Sequence, residues 1–303
     1  MLDMIKDLIN PVSDEIDKIF STDFTYTPTN SVPNVEGNTD LTYSNGDEQK
    51  GLELTTCVLF VDIRDSVKIN NEHYTHVKGR IYTSFVASVL RIAKYHHGYV
   101  RNIIGDRVMV VFEPKECFKN AVDCAVSINH VASKIIAAKI PGFHVGIGID
   151  YGTMKVYKVG IITTGVENAE NKNLVWIGDP ANFASRLTDM AGKSMEKKYN
   201  MKRILRNFLD PKKTITIKGK YNNGNLIEKL SSYSSQDFNS IQSIDELDAG
   251  TYNNILITED VFEGLKKQQP NRNSIKKKFW TETNGDFRGV DKKVYQASLV
   301  WVM

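Results

Sequence analysis

The amino-acid sequence predicts an α+β fold in which helices flank a mixed central sheet. The apolar run TTCVLFVDI, beginning near residue 54, has the length and β-branched content of a buried strand, and a helical pattern follows it over about 72–97. Two β-rich runs in YVRNIIGDRVMVVF and a second helical pattern at about 115–138 complete a β-α-β-β-α order. Hairpin strands that alternate with helices in this way are typical of an α+β domain.

The rest of the chain continues the alternation. Gly98 is expected to cap the first long helix, and HVGIGID and MKVYKVG are expected to form a hairpin that turns at Tyr151-Gly152. The segment PANFASRLTDMAG predicts a helix that begins at Pro180 and closes at Gly192. A strand (NILIT), a helix (EDVFEGLKK) and a strand (KVYQASLVWV) are predicted near the end.

Residues 1–50 are predicted to lie outside the main domain. Apolar side chains recur at three- and four-residue spacings from Leu2 to Phe20, which favours an amphipathic helix interrupted at Pro11. We expect it to pack on the main domain or on a second subunit, since its polar face is more acidic than a membrane-surface helix requires. Residues 21–50, rich in Thr, Ser, Asn, Pro and Gly, indicate a linker or an irregular wrap.

The main domain is expected over residues 51–303, with an inserted arm at about 193–253. The arm joins a basic polar stretch to the acidic run SSQDFNSIQSIDELDAG, and charged runs of this kind usually face water. Aromatic residues are sparse in it, which argues against a nucleic-acid patch. We expect an extension that is solvated or that contacts a second subunit.

Composition excludes several classes of protein. With 41% hydrophobic and 25% charged residues, the chain matches globular proteins and not disordered or collagen-like ones. No apolar run approaches about 18 residues and the N-terminus lacks a signal-peptide core, so we expect a cytoplasmic protein without a membrane segment. The net charge of +3 is too small to indicate nucleic-acid binding, and three cysteines without CxxC spacing argue against disulfides or structural zinc.

Two carboxylates occupy positions suited to metal binding. Asp62 ends the first apolar strand, and Asp106 follows Gly105 in the turn of the next hairpin. If these strands are neighbours in one sheet, the two carboxylates converge at its edge. Carboxylate oxygens bind hard cations such as Mg²⁺, and a pair of ions can hold the attacking and the leaving oxygen of a phosphoryl transfer. We therefore expect a divalent metal site here.

Two further segments suit a nucleotide. The turn 63–66 leads from the strand into a helix, where free backbone N–H groups and the positive helix end favour phosphate. Asn182 and Arg186 are four residues apart in IGDPANFASRL and share one helical face, so one ligand can contact both.

Taken together, the segments CVLFVDIRDS, IIGDRVMVVF, HVGIGIDYG and IGDPANFASRL resemble the successive core motifs of class III nucleotidyl cyclases. The resemblance covers about residues 54–192 and resumes at ILITEDVF. It implies the ferredoxin-like (palm) cyclase fold, with residues 51–303 as the catalytic domain. It also implies a head-to-tail homodimer, because such cyclases take the metal pair and the Asn/Arg pair of each site from opposite subunits.

The resemblance implies a role for each matching residue. Two Mg²⁺ or Mn²⁺ ions would be held by Asp62 and Asp106 with the carbonyl of Ile63. Asn182 would orient the ribose, and Arg186 would stabilise charge building on the α-phosphate. The triphosphate would be bound by Arg64, Asp65, Ser66 and Arg288, the last of which matches a basic position of the family only loosely.

The base-reading positions differ from those of purine cyclases. Those enzymes have Lys and Asp for adenine, or Glu and Cys for guanine, three residues before the hairpin glycine and seven before the ribose asparagine. This chain has Asn102 and Val175 there. Because Val175 cannot form a side-chain hydrogen bond, discrimination of a purine edge is weakened. Arg64 and Arg101 offer donors to a pyrimidine carbonyl.

In size and in its divergent pocket, the chain resembles the pyrimidine cyclases of bacterial Pycsar antiphage signalling. We expect it to convert UTP to 3′,5′-cyclic UMP and pyrophosphate as a second messenger. A cytidylate cyclase, an atypical adenylate cyclase and a regulatory domain that only binds nucleotide remain alternatives. The expected partners are a nucleoside triphosphate (UTP or CTP) and a second copy of the chain, without nucleic acid or membrane.

Overall fold

The computed structural model describes residues 2–38, 40–42, 48–72, 74–163, 166–195, 198–207, 214–222, 238–247, 250–283, 287 and 289–302. Its contacts divide the chain into two compact units. One comprises Met1–Ala191 with Asn253–Met303, and the other comprises Gly192–Tyr252.

The larger unit contains seven α-helices among its described residues: α1 (Leu2–Phe20), α2 (Ser66–Glu72), α3 (Thr75–Tyr95), α4 (Cys117–His130), α5 (Asp179–Met190), α6 (Glu259–Gln268) and α7 (Asn273–Lys276). A π-helical turn, Val131–Ile136, continues α4. The strands of this unit are β1 (Asp23–Pro28), β2 (Glu48–Ile63), β3 (Gly98–Ile104), β4 (Arg107–Phe112), β5 (Val145–Thr163), β6 (Val166–Ile177), β10 (Ile255–Thr258), β11 (Thr281–Thr283) and β12 (Val294–Ala297). The smaller unit contains an antiparallel sheet of β7 (Lys198–Asn207), β8 (Thr214–Asn222) and β9 (Phe238–Leu247) in the order β8-β7-β9.

The sheet of the larger unit is mixed, as the sequence predicts. Its order is β11-β12-β10-β5-β2-β4-β3, with β1 beside β2 and β6 beside β5. Strand β2 is antiparallel to both β4 and β5, whereas β10 is parallel to β5. The predicted β-α-β-β-α order is confirmed over β2 to α4, and the β3–β4 hairpin turns at Gly105, whose φ is +63°.

The core lies between this sheet and α3, α4 and α6. In α3 the buried residues recur every four positions, from Ile81 through Phe85 and Val89 to Ala93, and this stripe packs against the sheet. The centre of β2 is buried on both faces, which explains its continuous apolar run.

Two predictions about glycine positions are wrong, the first of which is the helix cap at Gly98. The helix α3 ends at Tyr95, and the left-handed residue after it is His97, with φ +56°, while Gly98 begins β3. A Cβ on Gly98 would lie 2.7 Å from the side chains of Phe112 and Val110, so this glycine makes room for two side chains of the neighbouring strand β4 instead of capping a helix.

The second wrong prediction is the hairpin turn at Tyr151-Gly152. Strand β5 runs unbroken from Val145 to Thr163 and pairs with β2 through this point. A Cβ on Gly152 would lie 2.9 Å from Pro180 Cγ, so the glycine makes room for the start of α5. The hairpin partner of β5 is β6.

The N-terminal segment is more regular than predicted. The helix α1 continues through Pro11, and the predicted irregular wrap contains β1, which pairs in parallel with β2. The apolar side chains of α1 from Ile5 to Phe20 are exposed, Phe20 by 88%. Among the described residues, these side chains do not pack on the rest of the domain. Within the described part of the chain, no helix combines the length and the apolar character that crossing a membrane requires.

Candidate nucleotide and metal site

The two candidate metal carboxylates meet at the end of β2. Val61 pairs with Val108 of β4, so Asp62 lies one residue past that pair and Asp106 lies in the turn before β4. Burial raises the pKa of Asp106, and the negative charge of Asp62 raises it further, while the backbone N–H of Ile63 stabilises the ionised form. The structure therefore brings Asp62, Ile63 and Asp106 together.

These residues fit a divalent cation. The Oδ2 atom of Asp106 is buried and has no hydrogen-bond partner among the described residues. A cation would satisfy this oxygen and offset the repulsion between the two carboxylates. The described residues hold no cluster of three or more His, Cys, Asp and Glu side chains that forms a metal site by itself. Water and substrate phosphates would have to supply the remaining ligands, as is usual for Mg²⁺.

Arg107, which no sequence motif indicates, forms an ion pair with the Asp62 carboxylate. Its Nη2 donates to Asp62 Oδ2 at 2.9 Å and contacts Asp189 of α5, and its Nη1 donates to Ser185 Oγ at 3.1 Å. One guanidinium thus ties the metal carboxylate to the helix that carries Asn182 and Arg186.

Arg64 is placed differently from the sequence prediction. Its side chain is 4% exposed, and its donors reach the backbone carbonyls of Thr188 and Asp189 at the C-terminal end of α5. A Cβ on Gly146 would clash with this guanidinium, so the backbone of β5 packs directly against the Arg64 side chain. Burial lowers the pKa of Arg64. The residue stabilises the end of α5 and is not directed outward to a triphosphate or a base.

The other residues of the predicted phosphate turn remain accessible to different degrees. Asp65 is exposed, with φ +53°, and the half-buried Ser66 begins α2. Arg288 lies outside the described residues. Its neighbour Gly289 is described, and a Cβ there would lie 2.7 Å from Nη1 of Arg186. Gly289 itself therefore lies close to the Arg186 guanidinium.

The helix α5 presents the predicted Asn/Arg pair outward. Asn182 and Arg186 are exposed, while Phe183, Ala184 and Leu187 are buried against the sheet. This seating needs Gly148, because a Cβ on it would lie 2.8 Å from Leu187 Cβ and closer still to the Ala184 carbonyl.

The two candidate base-reading side chains are both exposed on strands. Asn102 pairs with Met109, and Val175, which is 38% exposed, pairs with Tyr157. Met109, which lies opposite Asn102, and Trp176, the residue after Val175, belong to one hydrophobic cluster, so Asn102 lies on the face of the sheet that carries this cluster. Because successive side chains of a strand alternate between faces, Val175 lies on the other face, and this chain alone does not bring the two side chains together.

Arg101 and Trp176 are the neighbours in sequence of the two candidate base-reading residues, Asn102 and Val175. Arg101 lies at the β-bulge of β3, where its donors reach the carbonyls of Val100 and Val32 and its guanidinium lies 5.1 Å from the Tyr99 ring centroid. Burial lowers the pKa of Arg101. The buried indole Nε1 of Trp176 has no hydrogen-bond partner among the described residues, and no sequence pattern indicates that donor.

A protein-family model matches more than half of the chain. Residues 51–226 match the model of the adenylate and guanylate cyclase catalytic domain. The chain belongs to this family. The mixed sheet flanked by helices is accordingly the class III cyclase fold.

Two relatives of this cyclase domain bear the name uridylate cyclase. The protein from Burkholderia cepacia is 33% identical over 173 residues, which cover 54% of this chain and 70% of the relative. The protein from Rhodovulum sp. is 28% identical over 162 residues, which cover 50% of this chain and 63% of the relative. The fold is similar to that of a bacterial light-regulated adenylyl cyclase, with a TM-score of 0.50 at 14% identity over 84% of this chain and 55% of the other.

Proposed function

We propose that this chain is a nucleotidyl cyclase that converts UTP to 3′,5′-cyclic UMP and pyrophosphate. The observation that carries the choice of base is the pair Asn102 and Val175, which replaces both purine-reading pairs. An exposed valine offers no hydrogen bond to a purine edge. The name of the two relatives supports the same base.

The reaction joins the ribose 3′-oxygen to the α-phosphorus and breaks the bond to the leaving pyrophosphate, while the 3′-hydroxyl loses its proton. Asp62, Asp106 and the Ile63 carbonyl would hold two Mg²⁺ or Mn²⁺ ions. Bound there, such ions would lower the pKa of the 3′-hydroxyl and would neutralise charge on the leaving pyrophosphate.

The chain's other residues act on the sugar and the phosphates. Asn182 would fix the ribose, and Arg186 would donate to the α-phosphate oxygens as negative charge builds on them. Asp65, Ser66 and Arg288 are the proposed triphosphate contacts. Arg64 is left out because its two terminal guanidinium nitrogens already donate to the backbone carbonyls of Asp189 and Thr188.

We propose a head-to-tail homodimer in which Asp62 and Asp106 of one copy face Asn182 and Arg186 of the other. The position of the Asn/Arg pair on the exposed face of α5 supports this arrangement, since a second copy can reach both side chains. The product is proposed to act as a second messenger in antiphage defence, on the resemblance to the Pycsar cyclases.

The test is to incubate the purified chain separately with ATP, GTP, CTP and UTP, with Mn²⁺ and with Mg²⁺, and to identify the products by mass spectrometry. Cyclic UMP is expected as the dominant product, and Asp62→Asn and Asp106→Asn should abolish it. Dominant cyclic CMP or cyclic AMP would show that the base assignment is wrong. No cyclic product from any nucleotide would contradict the proposed activity.

A further inference from the structure

A cleft of about 890 Å³ lies away from the metal carboxylates, between the end of α3, the start of α4 and the C-terminal segment. Its size falls in the usual range of small-molecule sites. Strand β3 begins beside it and ends at the hairpin of Asp106, so roughly 20 Å of extended chain separates the two places. The cleft is therefore distinct from the candidate catalytic site.

Positive charge dominates this cleft. Arg91 and Lys119 line it, and Arg91 has no ion pair among the described residues. The one carboxylate that lines it, Asp123, is 12% exposed and already paired with Arg272 and Lys119. The net charge around the cleft therefore favours an anion.

Aromatic rings form part of the wall. Tyr95 is 80% exposed and Trp301 is 42% exposed, so both have ring faces available to a ligand. Trp301 is fixed, because its Nε1 donates to Ser127 Oγ at 2.8 Å. Burial lowers the pKa of His96, whose ring pairs with the same hydroxyl. The wall is thus preorganised, which reduces the entropy lost on binding.

One amide side chain lines the cleft. Asn120 is 5% exposed as a residue, its side chain makes no hydrogen bond to another described residue, and its amide atoms are not among the buried polar atoms that lack a partner. The amide is therefore in contact with the water of the cleft, and a ligand with donor and acceptor groups can replace that water.

We propose that this cleft binds a small anion that carries a planar, hydrogen-bonding ring, the chemistry of a mononucleotide. Arg91 and Lys119 bind the phosphate, the exposed rings stack on the base, and Asn120 hydrogen-bonds to its edge. The site needs no metal ion. It is independent of the proposed cyclase activity, since none of its residues belongs to the catalytic set.

The test is calorimetric titration of the full chain in EDTA with UMP, AMP, uridine and inorganic phosphate. At least one nucleotide should bind tenfold or more tightly than both uridine and phosphate. Uridine or phosphate binding as tightly as the nucleotides, or no binding of either nucleotide, would overturn the proposal.

Matched variants locate the binding. Arg91→Glu should weaken the affinity at least tenfold, whereas Arg80→Glu makes the same change at an exposed position of α3 that does not line the cleft and should leave it unchanged. Asn120→Leu should also weaken the nucleotide affinity. Its urea-unfolding midpoint is measured to confirm that this variant is folded. Binding that is lost in Asp62→Asn and retained in Arg91→Glu would place the nucleotide in the catalytic site and refute the proposal.

Discussion

At the scale of single residues, Arg107 pairs with one of the two carboxylates of the proposed metal site. Its guanidinium neutralises Asp62 and holds Asp189 and Ser185 of α5. A cation that binds Asp62 must compete with this ion pair, which is only partly exposed to water. The same contact positions α5, so Arg107 affects both the metal carboxylates and the helix that carries Arg186.

Replacing Arg107 by Gln should therefore tighten metal binding in the absence of nucleotide. The variant removes a positive charge 2.9 Å from Asp62 and leaves the carboxylate pair more negative. We expect a severalfold lower dissociation constant for Mn²⁺, measured by electron paramagnetic resonance of the free ion. Arg80→Gln, on the exposed face of α3, is the control and should change nothing. An unchanged or weaker affinity in Arg107→Gln contradicts the competition.

The base-reading positions permit a second prediction at this scale. Asn102→Lys combined with Val175→Asp restores the pair found in adenylate cyclases, and it adds hydrogen bonds that only an adenine edge can satisfy. The ratio of kcat/KM for ATP to that for UTP should rise about tenfold or more. The two single variants are the controls and should each give a smaller change. A double variant that still makes cyclic UMP at an unchanged ratio would show that these positions do not read the base.

At the scale of elements, the seating of α5 depends on a glycine. Gly148→Ala should push α5 off the sheet, because the new Cβ would lie 2.8 Å from Leu187 Cβ. We expect a loss of about 1–3 kcal/mol in the free energy of unfolding, as for other overpacked cores, and a fall in turnover as Asn182 and Arg186 move. Gly79→Ala, in α3 with nothing within 4 Å of the added Cβ, should instead gain up to about 1 kcal/mol. Urea unfolding measures both, and equal midpoints would contradict the proposed role of Gly148.

The elements also show what the sequence could and could not predict. Local patterns predict the β2 strand, the β3–β4 hairpin and α5, because each has its own periodicity and turn residues. Gly98 and Gly152 mislead because their small size serves contacts with Phe112 and Pro180, which are distant in sequence. The same limit hides Arg107 and the end of α5 that Arg64 stabilises, since their partners are known only once the sheet is assembled.

At the scale of the whole molecule, we propose that two copies of the chain share the active site. Asp62 and Asp106 lie at one end of β2, and Asn182 and Arg186 face outward on α5. A two-fold pair of chains would place each set opposite the other and so create two equivalent sites. Each chain then contributes half of each site, and defects in different halves can complement one another.

Mixing Asp62→Ala with Arg186→Ala should therefore restore turnover that neither variant has alone. Random exchange gives heterodimers in half of the pairs, each with one intact site, so about a quarter of the wild-type rate is expected for a two-fold dimer. Mixing Asp62→Ala with Asp106→Ala is the matched control. Both defects then lie in the same half-site, so every site in the heterodimer has a damaged carboxylate pair and no turnover returns. No recovery in the first mixture, despite subunit exchange confirmed by native mass spectrometry, would mean that each site is formed within one chain. Recovery in the control would mean that the Asp62 and Asp106 of one site come from different chains, which also contradicts the proposed half-sites.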